Sequence, residues 1–162
     1  MTSRFPLVFA ALLTAASGAF ATDVAEGAAG RMVVDTWQED PTQVFDSEGI
    51  SLDDFQWIAR PIVVFADTEA DPRFIEQMEL LTAQLDELAE RDVVIITDTD
   101  PSARSDIRRQ LRPRGFMLAL LGKDGGVKLR KPSPWSVREL SRSIDKMPLR
   151  QQEIRDALFS DG

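Results

Sequence analysis

The chain has 162 residues, with 27 Asp and Glu against 19 Lys and Arg for a formal net charge of −8, and it contains no cysteine, histidine or tyrosine. Without thiols there is no disulfide, no disulfide exchange, no peroxidatic chemistry and no thiolate metal site. Without histidine the usual general base near neutral pH and the commonest transition-metal ligand are also missing, which leaves carboxylate, hydroxyl, Lys and Arg chemistry.

The chain opens Met1-Thr2-Ser3-Arg4, and an uncharged apolar run over residues 5–21 ends in Ala19-Phe20-Ala21. A short basic start, an apolar middle and small residues flanking a larger one are the parts of a cleavable secretory signal. The run falls short of the about 20 apolar residues a spanning helix needs, and Pro6 and Gly18 interrupt it. Residues 1–21 are therefore expected to be a signal peptide, leaving a periplasmic or secreted protein with no stable membrane insertion. The remaining chain of about 140 residues suits one domain with its own core, held by packing alone.

Residues 22–50 are acidic and hold Gly27, Gly30 and Pro41, the composition of a loosely ordered lead-in. Its one apolar patch, residues 31–37, predicts a short strand or helix docking on the domain. The domain is expected over residues 51–162, with Phe55 and Trp57 as anchors. Residues 62–65, Ile-Val-Val-Phe, form a continuous apolar run that marks a strand buried on both faces. Asp71-Pro72 then opens a helix, Asp71 as the cap and Pro72 at the first helical position. Phe74, Ile75, Met78, Leu81, Leu85 and Leu88 recur at helical spacing as far as Arg91. A second buried strand follows over residues 92–97, so the two strands and the helix between them form a right-handed parallel unit.

Beyond Asp100, a short helix with Ala103, Ile107 and Leu111 on its apolar face is ended by Pro113 and Gly115. Residues 116–121 and 127–130 predict two strands joined by Lys123-Asp124-Gly125-Gly126, an antiparallel hairpin. Ser136 and Glu139 form a capping box for a further helix, and residues 149–159 predict a terminal one. The expected fold is α/β: a thioredoxin-like β-α-β-α-β-β-α core, its four-stranded mixed sheet flanked by helices.

Five pieces of sequence carry a family resemblance: Phe55-Gln56-Trp57, Arg60-Pro61-Ile62-Val63-Val64-Phe65, Arg91-Asp92-Val93-Val94, a turn over residues 122–129 and Ile144-Asp145-Lys146-Met147-Pro148-Leu149-Arg150. Together they resemble domain-of-unknown-function family 4174 over residues 52–153, the last two pieces being the most specific. The resemblance implies a thioredoxin-like, peroxiredoxin-related fold in exported proteins, including a secreted vertebrate matrix protein. It implies no particular activity.

In thioredoxin-like folds the redox thiols sit where the first core strand meets the first long helix. Here that stretch reads Ala66-Asp67-Thr68-Glu69-Ala70-Asp71. Asp67, Glu69 and Asp71 either cap and solubilise the helix or bind a cation or a basic partner. The loop facing it in such folds often holds a cis proline, and Pro113, between Arg112 and Arg114, is the candidate. Arg112 and Arg114 would then face the acidic loop, pairing with it or holding a carboxylate or phosphate. They end a basic stretch with Arg104, Arg108 and Arg109, of which Arg104 and Arg108, four apart, share a helix face. Asp98-x-Asp100-x-Ser102 begins like a calcium loop but lacks its glycine and terminal glutamate.

Charge is segregated along the chain: residues 1–100 carry 5 basic and 20 acidic side chains, residues 101–162 carry 14 and 7. Either the halves attract each other or the second half offers an anion-binding face. Acidity and export both argue against nucleic acid. The expected function is an exported, non-redox, non-enzymatic module that binds a protein or envelope component. The alternative is a small-ligand binder or enzyme built from carboxylates and arginines in the degenerate thioredoxin slot. No cofactor or metal is expected.

Overall fold

The computed structural model describes residues 30–160. The expected signal peptide and the first part of the lead-in lie outside them. The rest of the lead-in folds onto the domain. A helix over residues 30–39 (α1) buries Val34 and Trp37, and the indole N–H of Trp37 donates to Val93 O at 3.2 Å. A short strand, β1 (Val44–Asp46), follows.

The sheet is mixed and has five strands where the sequence predicts four. β2 (Arg60–Phe65) lies parallel to β3 (Val93–Asp98), and β1 joins the far side of β3, also parallel. β4 (Met117–Leu121) pairs antiparallel with β2, and β5 (Val127–Lys131) antiparallel with β4. The strand order is β1-β3-β2-β4-β5.

Alternation along the strands divides the core. Val63, Phe65, Val94, Ile96, Ala119 and Leu121 pack on one face, with Trp37, Phe55, Ile107 and Leu111. Ile62, Val64, Ile95, Leu118 and Leu120 pack on the other, with Leu81, Leu88, Val137, Leu140 and Ile144. Both faces of β2 and β3 are covered, which is why their sequences read as unbroken apolar runs.

The helices covering the second face are α2 (Pro72–Thr82), α3 (Leu85–Ala89) and α5 (Val137–Asp145), with α6 (Pro148–Ser160) after them. Asp71 caps α2 and Ser136 and Glu139 form the capping box of α5, both as predicted. The single helix expected up to Arg91 is instead two, separated at Ala83 and Gln84, where Gln84 leaves helical geometry at φ −140°. α4 (Asp106–Leu111) begins later than predicted. Arg104 takes a left-handed conformation ahead of it, φ 49°, so Arg104 and Arg108 do not share a helix face.

Two further expectations are corrected. Trp57 is not a core anchor: it is 65% exposed, while Phe55 is fully buried. Pro113 is not cis, and the described residues contain no cis peptide bond. The turn is made by Arg112 at φ 50° and Gly115 at φ 62°, left-handed positions that reverse the chain while the peptide stays trans.

The register defines two rims. Phe65 lies beside Asp98 and Met117, Asp46 beside Thr97, and Leu118 beside Lys131, so these residues share one rim. The opposite rim holds Arg60, Val93, Leu121 and Val127.

Candidate functional site

The rim at the carboxyl ends of β1, β3 and β2 is where open α/β sheets place their ligands. It carries every site residue predicted from the sequence. Beyond Phe65 the chain exposes Asp67, Thr68, Glu69 and Ala70 and then enters α2. Asp71 accepts from Arg73 N at 2.9 Å and takes the Arg73 guanidinium at 2.9 and 3.2 Å. These hydrogen bonds, side chain first and backbone second, hold its carboxyl below the usual carboxylate range. Asp71 is thus committed to starting the helix. Asp67 is 65% exposed and stands 3.9 Å from Arg108. Glu69 lines a cavity of about 620 Å³ with Asp46, Glu48, Asp98 and Asp100. Among the described residues no three acidic side chains stand close enough together to hold a metal ion.

The sequence missed the anchor of this rim. Asp98, 2% exposed, receives Arg108 Nε at 2.8 Å and Nη2 at 2.7 Å, and the Ser105 hydroxyl donates to its other oxygen at 2.5 Å. Arg108 Nη2 also reaches Ala66 O at 2.8 Å, and the guanidinium lies 5.5 Å from the Phe65 ring centre. This one side chain ties the ends of β2 and β3 to α4. Asp98 and Arg108 neutralise each other, so neither offers a free charge to a ligand.

The basic half lies across β2. Arg112 and Arg114 line a cavity of about 260 Å³ with Phe116, Met117, Arg130 and Lys131. No carboxylate lines it, and among the described residues none of its four cations is held in an ion pair. Arg130 donates to Leu111 O, and the Lys131 ammonium sits 4.0 Å from the Trp135 ring centre. Arg112 and Arg114 therefore converge with the end of β5 rather than with Asp67, Glu69 and Asp71. The two loops come near each other at Gly115, where a Cβ would lie 3.9 Å from Asp67 Oδ2. Arg130 and Lys131 were legible in principle, because a hairpin brings the end of its second strand back to the start of its first.

The chain belongs to the family described as Domain of unknown function (DUF4174), which matches residues 51–153. It is also similar to the coiled-coil domain-containing protein 80 of Danio rerio, 30% identical over 133 residues, covering 64% of this chain and 15% of that protein's length. The chain thus spans under a sixth of that relative.

Proposed function

We propose that this member of the DUF4174 family is an exported, non-redox module of thioredoxin-like architecture that holds an acidic segment of a protein or envelope component. The observation that carries the reading is the basic cavity: four cations, two from the loop before β4 and two from the end of β5, line one space with no carboxylate among its walls. Such a space attracts a carboxylate-rich chain and rejects a basic one, which is how surface charge confers specificity. The Arg guanidiniums add two-pronged hydrogen bonding to carboxylate.

The strand order, with β1, β3 and β2 parallel and β4 and β5 antiparallel to their neighbours, supports a thioredoxin-like topology. The stretch where such folds keep their thiols is here Ala66 to Asp71, acidic and free of cysteine. Arg4, the apolar run over residues 5–21 and Ala19-Phe20-Ala21 support export. A binding role fits better than an enzyme in the thioredoxin slot, because that alternative needs carboxylates and arginines to meet. Here Asp71 and Asp98 are engaged by Arg73 and Arg108, while Arg112 and Arg114 face a separate cavity.

The test is titration of a fluorescent Asp/Glu-rich peptide followed by anisotropy, alongside capture from envelope extract. Exposed ion pairs contribute about 0.2–1 kcal/mol each, so Arg112→Ala/Arg114→Ala should weaken the peptide roughly 2- to 30-fold. Added salt should weaken the wild type more than the variant. Equal affinity and equal captured partners in the two proteins would remove this cavity as the binding surface.

A further inference from the structure

The acidic half of the first rim holds a cavity that the basic one leaves unused. Its volume is about 620 Å³, against about 260 Å³ for the basic cavity. Three loops build it: Ser47, Glu48 and Gly49 follow β1, Glu69 follows β2, and Thr99, Asp100 and Ser105 follow β3. It therefore lies beyond the carboxyl ends of three adjacent parallel strands. β2 leaves this rim for α2, which packs on one face of the sheet through Leu81. β3 leaves it for α4, which packs on the other face through Ile107 and Leu111. Neighbouring parallel strands whose connections part to opposite faces open a crevice between them, where such sheets hold ligands.

Five carboxylates line this space, those of Asp46, Glu48, Glu69, Asp98 and Asp100. Arg108 neutralises Asp98. The other four have no ion pair among the described residues. Asp46 accepts from Glu48 N at 2.9 Å and Asp100 from Ser102 N at 2.8 Å, contacts that shape the turns and leave the charges in place. Arg104 and Arg108 border the cavity in sequence, but neither lines it and neither pairs with these four. Charge alone would mark only a solvated face.

Ser47 is the independent sign of a ligand. It is 6% exposed, and its backbone is fixed by donation to Thr97 O at 2.9 Å and acceptance from Ile50 N at 3.3 Å. Its hydroxyl has no hydrogen-bond partner among the described residues, yet it is not sealed in the interior as Arg60 Nε and Arg150 Nε are. The one opening such a buried residue has is the cavity that it lines. Ser141, buried to a similar degree, donates to Glu87 at 2.6 Å. Buried polar side chains are nearly always paired, so a hydroxyl that nothing in the chain engages is available to a group from outside it.

We propose that this cavity binds an extended organic cation carrying several ammonium or guanidinium groups, its charges against Asp46, Glu48, Glu69 and Asp100 and one N–H donating to Ser47 Oγ. Among the described residues no three carboxylates are close enough together for a metal ion, so the positive charges of the ligand must be spread as these are. The volume is in the middle of the range for ligand pockets. Two sources share this chemistry, a Lys- and Arg-rich peptide segment and a free polyamine.

The experiment is calorimetric titration of the full chain with an acetylated, amidated tetra-Lys peptide, with spermine, and with the matching tetra-Gln peptide. At least one of the two cations should bind, and the tighter identifies the source. The Gln peptide should bind at least about 10-fold more weakly than the Lys peptide. Glu48→Gln/Glu69→Gln should weaken the cation roughly 2- to 30-fold. Glu76→Gln/Glu79→Gln removes the same charge from exposed positions on α2 and should change binding less than about 2-fold, since distant charges are screened. Ser47→Ala should weaken binding about 3-fold or more while leaving the melting temperature equal or higher, because the hydroxyl has no partner in the chain to lose. Arg112→Ala/Arg114→Ala should not weaken it, so failure here and failure at the basic cavity are separable. Equal binding of the Lys and Gln peptides, equal weakening by the two Glu pairs, binding unaltered by Ser47→Ala, a melting temperature lowered by that change, or no binding of either cation at millimolar concentration would each overturn the proposal.

Discussion

Arg108 shows how one side chain limits what its neighbours can do. Its guanidinium is almost entirely engaged by Asp98 and by the carbonyls at the ends of β2 and β3. Breaking a buried pair from one side strands the other charge, so Arg108→Ala should cost about 3–5 kcal/mol of stability. Asp98→Leu/Arg108→Leu removes both charges and should recover much of that loss, since an apolar replacement of a buried pair is often neutral. Urea denaturation of the two variants checks this; equal loss in both would mean that Arg108 acts through its carbonyl contacts rather than through Asp98. The sequence showed Arg108 only as part of a basic stretch. Its partner lies ten residues back at the end of a strand, where an Asp before Thr99-Asp100-Pro101 reads as turn chemistry. Trp57 reads as core for a related reason: an aromatic residue two positions after a buried Phe looks like an anchor until its own backbone is seen to be left-handed.

At the scale of elements, the legible parts are those whose signals are local. Continuous apolar runs gave β2, β3 and β4, and side-chain caps gave the starts of α2 and α5. Ser136 accepts from Glu139 N while the Glu139 carboxylate accepts from Ser136 N, and the backbone and hydroxyl of Ser136 hold the Glu139 carboxyl low. Ser136→Ala should therefore cost about 1 kcal/mol, seen as a fall of a few degrees in a circular dichroism melt. An unchanged melt would mean that packing of Val137, Leu140 and Ile144 alone defines the helix. β1 was not legible because it has three residues and its pairing with β3 depends on a strand nearly 50 residues away. The break between α2 and α3 has no glycine or proline to announce it. The rims were least legible, because they are products of register: Arg112 meets Lys131 only once β4 and β5 are paired.

For the whole molecule, the missing cysteine and histidine become a statement about pH. With neither present, no side chain titrates near neutrality at its ordinary pKa, so stability should be level between about pH 6 and 8. The carboxylates set the acid limb. Burial raises Glu153, but hydrogen bonds from Lys123 and Arg60 outweigh it and hold the group below its ordinary value. Asp71, Asp100, Asp124 and Glu139 are also held low, in each case chiefly by a side-chain or backbone hydrogen bond. A carboxyl lowered by folding binds fewer protons in the native state than in the unfolded one. Its contribution is fully present above the unfolded pKa and is lost as pH falls through the folded one. The urea midpoint should thus hold from about pH 8 to 6 and fall below about pH 4.5, the upper edge of the ordinary carboxylate range. Glu153→Gln should lower the midpoint at neutral pH and flatten part of the acid slope, because it removes a group that two cations favour as an anion. A midpoint that fell between pH 8 and 6, or rose as the carboxylates were protonated, would show that the charged rims repel more than these pairs attract.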